Sequence, residues 1–349
     1  DKMAYTTIDN PELYFQTKLY TGTGSSNALT LDGDTDMQPD LVWIKRRNGA
    51  ESHALFDSVR GVQKQIPSDA TDAEQTVSAS LTAFGSDGFT VSSWSRVNAS
   101  SDTFVAWCWK AGGGSGSANT DGGINTTSTS VNQTSGVSIS TWTGTGSNAT
   151  VGHGLGAVPK FITTKARSDS YDWYTYHASI GNTKNVYLNL TNAESGASAN
   201  FHNNTDPTSS VWTAGGNIYN NNYTFVTYSF AEIKGFSKFG SYKGNGNADG
   251  PFIYTGFKPA FFITKNATDA GDNWILWDNK RDTFNLTDNG LAPNSAEDEF
   301  TDVDIDFVSN GIKIRNATGR HNGGGDTHIF MAFAENPFVN SNGIPNNAE

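Results

Sequence analysis

Cysteine is almost missing from this chain of 349 residues: Cys108 stands alone, so no disulfide can form within it. It lies in the apolar stretch FVAWCWK, the setting of a buried, inert thiol and not of a nucleophile. No apolar run approaches the roughly eighteen residues of a membrane span, and no secretory leader is visible. Met3 is followed by AYTTIDN, which reads as a natural start behind two extra residues or as a fragment boundary. Basic residues are scarce. Lys plus Arg is 23 against 35 for Asp plus Glu, a formal net charge of −12. A phosphate-binding surface wants the opposite sign, so nucleic acid is excluded as a partner, and the acidic balance fits a soluble, self-repelling surface. The one basic cluster, Lys45-Arg46-Arg47, follows a strand and reads as a solvated strand end.

Catalytic signatures are missing as well. There is no Gly-Lys-Ser/Thr ending on the glycine-rich turns, no G-x-S-x-G elbow, no H-E-x-x-H and no C-x-x-C. His53, His153, His177, His202, His321 and His328 show no paired metal spacing, and His153, between two glycines, reads as an exposed bend. The expectation is a non-enzyme without a cofactor. Periodic runs of helix formers are nearly absent too, whereas glycine (37), aromatics, Asn, Ser and Thr abound, the composition of strands and turns. The fold class expected is all-β.

What is present is repetition. An aromatic, a G-x-G turn, a proline, a strand and a lysine occur three times. The copies are Tyr20, Gly22, Gly24, Pro39, Lys45; Trp142, Gly144, Gly146, Pro159, Lys165; and Tyr242, Gly244, Gly246, Pro259, Lys265. The step from proline to lysine is six residues each time (45−39, 165−159, 265−259). Each copy ends in an apolar strand, TFVAWCW, TFVTYSF or THIFMAF, whose threonine lies 83, 82 and 85 residues after the lead aromatic (103−20, 224−142, 327−242). These spacings predict three tandem, homologous β-sandwich-like modules of roughly 95 residues, with seven or eight short strands each. Asn192-Ala193-Glu194 answers Asp72-Ala73-Glu74 at an equal distance from the lysine (74−45 = 29; 194−165 = 29), and the third copy has Asn294-Ser295-Ala296-Glu297.

The domain plan follows: an N-terminal arm 1–14, modules at 15–110, 137–233 and 234–338, a Gly/Ser/Thr/Asn linker 111–136, and a C-terminal tail 339–349 of loop or disorder. The linker is expected to be flexible, or ordered only by lying along a surface. With no such tether between them, the second and third modules should form a rigid pair and the first should be placed separately. Trp107 and Trp109, Tyr228 and Phe230, and Met331 and Phe333 fall at matched places in the closing strands and read as core.

Candidate sites are few. Asp32, Asp34 and Asp36 open like a calcium loop but lack the glycine and the final carboxylate that such a loop needs, Met37 and Trp43 standing there instead. The acidic run Glu297, Asp298, Glu299, Asp302, Asp304, Asp306 alternates at its end with Val303, Ile305 and Phe307, as on a half-exposed strand. A divalent-cation site or an inter-subunit contact to basic residues is the alternative. Trp94, Trp142, Tyr171, Trp173 and Trp212, near strand ends or turns, are candidates for stacking on sugar rings. No pair of carboxylates facing each other across a cleft can be identified.

YTGTG, QPDLVWIKRR, LFDSVRG, SDGFTVSS and FVAWCWKAG in the first copy resemble a repeat of structural proteins of tailed bacteriophages, particularly marine ones. GTGSNATVGHGLGAVPKFITTKAR and AEIKGFSKFGSYKGNGNADGPFIYTGFKPAFFITK in the other copies resemble it as well. The resemblance covers about Tyr14 to Phe338 and brings no catalytic residues with it. It implies a virion exterior protein, a tail fibre or a head or tail decoration engaged in host adsorption. Its implied partners are other virion proteins, further copies of itself (a trimer, by analogy) and a host surface glycan, without membrane insertion. A carbohydrate-binding adhesin is the alternative reading, and a polysaccharide depolymerase a weaker one.

Overall fold

The computed structural model describes residues 5–196 and 198–347. The expectation about Asp1, Lys2 and Met3 and the last two residues of the tail lie outside them.

The first module forms β1 (Phe15–Thr21), β2 (Asn27–Thr30), β3 (Leu41–Arg46), β4 (Ala54–Asp57), β5 (Lys64–Gln65), β6 (Gln75–Thr76), β7 (Leu81–Gly85), β8 (Gly88–Val91) and β9 (Thr103–Trp109). The second forms β10 (Ser128–Asn132), β11 (Val137–Thr143), β12 (Ala149–Gly152), β13 (Pro159–Ala166), β14 (Tyr174–His177), β15 (Val186–Tyr187), β16 (Val211–Ala214) and β17 (Thr224–Ala231). The third forms β18 (Ser237–Lys243), β19 (Phe252–Tyr254), β20 (Phe257–Asn266), β21 (Ile275–Asp278), β22 (Ile305–Val308), β23 (Gly311–Ile314) and β24 (Thr327–Pro337). The fold is all-β and its named strand pairs are antiparallel.

One strand order appears three times: β1-β9-β3-β4, β11-β17-β13-β14 and β18-β24-β20-β21. The second sheet is extended by β10 and β15 at its edges. Register matches too. The lysine ending each proline-led strand lies opposite Val105, Val226 or Ile329 of the closing strand. Against each large sheet lies a small one, β2-β8-β7, β12-β16 or β19-β23-β22.

The lead aromatic and its G-x-G turn play one part in all three places. Tyr20 stacks on Phe104 at 5.1 Å, Trp142 on Phe225 at 4.7 Å and Tyr242 on His328 at 5.1 Å. A Cβ on the first glycine would collide with the backbone beneath it, at 2.0 Å for Gly22, 2.3 Å for Gly144 and 2.1 Å for Gly244. The second glycine is left-handed each time, with φ of 67°, 69° and 66° at Gly24, Gly146 and Gly246.

Closing strands are buried on both faces, which explains why they read as nearly continuous apolar runs. In β9, Phe104, Ala106 and Cys108 face the small sheet of their own module. Val105, Trp107 and Trp109 face a core shared with Val226, Tyr228 and Phe230 of β17 and Ile329, Met331 and Phe333 of β24. At its centre Trp109, Phe230 and Phe333 form a triangle, their rings 6.4, 5.9 and 5.7 Å apart pairwise.

Independent placement of the first module is therefore corrected, because its closing strand is part of the common core. The segment 111–136 takes the ordered alternative. Asp40 accepts the backbone N–H groups of Ala111, Gly113 and Gly114 at 2.8, 2.9 and 2.8 Å, and β10 then pairs along β11. The arm leaves the first module for the third. Ile8 is buried in the shared core, and Thr6 donates to the Lys234 carbonyl at 3.1 Å. The tail folds back, with Ser341 N–H on Asp9 at 2.7 Å.

Candidate functional site

The groups best able to carry chemistry gather where modules meet, and the contacts run in a closed cycle: first on third, third on second, second on first. Lys45 Nζ donates to Ala296 O of the third module (3.3 Å), Lys265 to Thr191 O of the second (3.4 Å) and Lys165 to Thr71 O of the first (3.0 Å). Each also holds the carbonyl of the residue after itself, at 2.8, 2.7 and 3.1 Å. A second ring of contacts comes from the residue before the fourth strand of each large sheet. His53 meets Ala292 O at 3.0 Å, Trp274 donates to Tyr187 O at 2.9 Å and Trp173 to Pro67 O at 2.8 Å.

A third ring lies at the end of that strand. Tyr228 donates to Asp57 (2.7 Å), Trp107 donates to Asp278 (3.0 Å), and His177 Nε2 meets Phe330 O (2.9 Å). Asp57 and Asp278 are fully buried, and each is paired with an equally buried arginine three residues on, Arg60 at 2.5 Å and Arg281 at 2.6 Å. Those arginines reach on to Glu74 (3.3 Å) and Glu299 (3.1 Å), which also pair with Arg167 and Arg47 of the neighbouring module at 2.9 and 2.8 Å. Backbone contacts agree: Glu74, Glu194 and Glu299 donate their N–H to Arg167, Ala267 and Arg47 carbonyls at 2.9, 2.9 and 3.0 Å. The third acidic counterpart is thus Glu299, two residues later than Glu297.

Lys45-Arg46-Arg47 is accordingly no solvated strand end: Lys45 is fully buried and Arg47 is bridged to Glu299. Burial pulls the ammonium of Lys45, Lys165 and Lys265 down to about 8, against the attraction of nearby carboxylates, Asp69, Asp72 and Asp272 foremost. The unfolded chain holds these protons up to about pH 10.4. Between pH 8 and 9.5 the unfolded state therefore binds more protons, and stability rises with pH. Urea unfolding should show a gain of roughly 4–5 kcal/mol from these sites over that window, given about 1.4 kcal/mol per pKa unit and three sites. The gain should vanish in the triple Lys→Met variant; an equal gain there would place the effect elsewhere.

All six histidines are buried, His153 among them, which corrects the exposed bend. His153 is held by Thr208 O at 3.1 Å and accepts the Leu155 N–H at 3.1 Å. Cys108 is fully buried, and burial pushes its thiol up.

Three of the five sugar-stacking candidates are also corrected. Trp142, Trp173 and Trp212 are at most 2 % exposed. Trp142 fills the lead-aromatic slot, Trp173 is bound to the first module, and Trp212 packs edge-on to Trp142 at 5.6 Å. Trp94 is half-buried under the Arg96 guanidinium (4.8 Å), and Tyr171 is half-buried with its hydroxyl taken by Asn220 at 2.8 Å. Asp32, Asp34 and Asp36 are exposed and Asp32 is paired with Lys18. Among the described residues no group of three or more His, Cys, Asp or Glu is placed to hold a metal ion. In the acidic run, Val303, Ile305 and Phe307 are buried as the alternation predicts, but Asp306 is buried beside Arg315 rather than facing water.

The sequence reading passes over the aromatics that do reach the surface. Phe252, Tyr254 and Phe284 are 49, 54 and 78 % exposed, all in the third module. The available signal is alternation in PFIYTG, where Phe252 and Tyr254 flank the buried Ile253.

A family model described as a domain of unknown function (DUF7483) matches residues 10–337, spanning all three large sheets as one unit. No curated protein and no solved structure matches the chain.

Proposed function

The chain belongs to the DUF7483 family, a domain of unknown function, and from that premise we propose that it is a non-enzymatic structural protein of a phage virion. In this reading it stands on the particle exterior, as a tail fibre or a head or tail decoration, and takes part in host attachment. The observation that carries the reading is the closed cycle of contacts among three sheets. A heterologous interface repeated around a ring normally needs three chains. Here it is completed within one, so a rigid threefold-like body persists without disulfides or assembly. The trimer expected by analogy is in this reading already internal.

A second feature supports a scaffold over an enzyme: every imidazole, the thiol and the three repeated lysines serve packing, out of reach of a substrate. Mass spectrometry of purified particles, with antibody labelling in micrographs, tests the proposal. The chain is expected among the structural proteins and on the outer surface; its absence from particles sinks the reading.

A further inference from the structure

The three small sheets share one strand pair, β2-β8, β12-β16 and β19-β23, but their outer faces differ. In the first, β2 turns Leu29 inward and Ala28 and Thr30 outward; in the second, β12 turns Val151 inward and Thr150 outward. In the third, β19 turns Ile253 inward and puts Phe252 and Tyr254 at the places of Ala28 and Thr30. The surface continues across the sheet. Beside Tyr254 comes Gly311, whose missing Cβ makes room for the Phe252 ring: a Cβ there would stand 2.9 Å from it. Beyond Gly311 lies half-buried Val308. Residues 284–287 then run along the free edge of β22, tied by the Thr287–Ile305 bridge and by the Asn285 carboxamide on the Phe307 backbone at 2.8 and 2.9 Å. They add Phe284 and Leu286, both exposed. No packing need inside the module calls for Phe252 and Tyr254, since the first module holds the same strand with Ala28 and Thr30 and the second with Thr150 and Gly152.

We infer that this face binds a neutral oligosaccharide, which deepens the attachment part of the reading above and rests on it for its biological setting. Two observations select that occupant. The face is small. Its four exposed side chains offer on the order of 450 Å², taking about 200 Å² for each large side chain. A stable protein partner needs about 800 Å² a side, whereas two or three sugar rings fit. Across the sheet itself the charges are also paired off. Lys313 is paired with Asp249 at 2.6 Å and Arg315 with Asp306, so a charged polymer finds no free counter-charge among them. Flat rings at alternate strand positions suit the apolar faces of sugars, and polar groups stand at one end to orient them. There Tyr254 borders a cleft of about 160 Å³ where its hydroxyl meets that of Tyr5 at 2.9 Å. Lys234 lies over the Tyr5 ring at 4.7 Å.

The test is an array of neutral gluco-, galacto- and manno-configured oligosaccharides, followed by titration of any hit against the full chain. The matching variant is Phe252→Ala with Tyr254→Thr, which copies Ala28 and Thr30 and so preserves a sheet the fold already tolerates. Binding at least tenfold weaker in that variant, with an unchanged melting temperature, is the expected result. An array without hits overturns the inference, as does a hit that the variant binds equally well. So does self-association of the chain that the variant abolishes, which would make a second copy the occupant. Absence from particles, by contrast, would remove the virion reading and leave glycan binding standing.

Discussion

Asp278→Ala is expected to remove roughly 3–5 kcal/mol of folding free energy, the cost of stripping one partner from a buried ion pair. Asp278 sits at the end of β21 with no exposure and accepts four hydrogen bonds: Trp107 Nε1 at 3.0 Å, Arg281 Nε at 2.6 Å, and the N–H groups of Lys280 and Arg281 at 3.0 and 2.9 Å. Truncation leaves the guanidinium of Arg281 buried with only the Leu276 carbonyl and Glu299, and orphans an indole N–H of another module. Asp278→Asn should cost less, since it keeps the shape and an acceptor for Trp107. Asp278→Ala with Arg281→Met should recover part of the loss, because the unpaired charge leaves with its partner. Urea unfolding followed by tryptophan fluorescence measures all three. Because the contact joins the third module to the first, the transition should stay single and shift as a whole. A change under 1 kcal/mol, or a split transition in which only the third module melts early, would contradict a common core.

How far the sequence carries the structure is visible in single residues. The two glycines are legible because backbone geometry calls for them: a left-handed φ at Gly24 favours glycine, and a 2.0 Å approach at Gly22 leaves no room for a Cβ. Burial of Trp107 and Trp109 is legible for the same reason that makes it ambiguous. A strand apolar on both faces announces two cores but not which partner supplies the second. The partner depends on pairs such as Lys45 with Ala296 or Tyr228 with Asp57, whose members are 251 and 171 residues apart, and no local spacing encodes them. Composition misleads about the linker, because flexibility is inferred from Gly and Ser while the ordering carboxylate, Asp40, lies in another segment. The candidate binding face is missed because four of the five aromatics chosen are tryptophan, the rarest type, and three of those four are kept inside by this fold. The surface positions are filled by Phe252 and Tyr254, at slots where the first module has Ala28 and Thr30 and the second Thr150 and Gly152.

Acid should unfold this protein within a narrow window, from about pH 6 down to about pH 4.5, and the cause is its histidines. Burial lowers all six: His177, His202 and His328 to about 4, His321 to about 3, His53 well below its ordinary value, and His153 below it. Above the unfolded value of about 6.5 every imidazole is neutral in both states and the full stability is present. As pH falls below it, the unfolded chain takes up protons that the folded chain refuses, and stability is lost until the folded values near 4 are reached. With about 1.4 kcal/mol per pKa unit, four groups displaced by two units or more amount to roughly 10 kcal/mol, comparable to the whole stability of a typical fold. The most informative single site is His328. Its ring stacks under Tyr242 at the place where Phe104 stacks under Tyr20 and Phe225 under Trp142, and its neighbours in charge are Asp326, Lys265, Lys243 and His321. Neither ring nitrogen has a hydrogen-bond partner. His328→Phe therefore copies the other two modules, removes a titrating group and strands no polar atom. Unfolding free energies from pH 7.5 to 4.5 should fall more gently in this variant, the slope at pH 5 reduced by about one proton, or roughly 1.4 kcal/mol per pH unit. A wild-type profile that stays flat between pH 7 and 5 would mean that the imidazoles are solvated in solution, and the shared core would have to be looser than the contacts around it require.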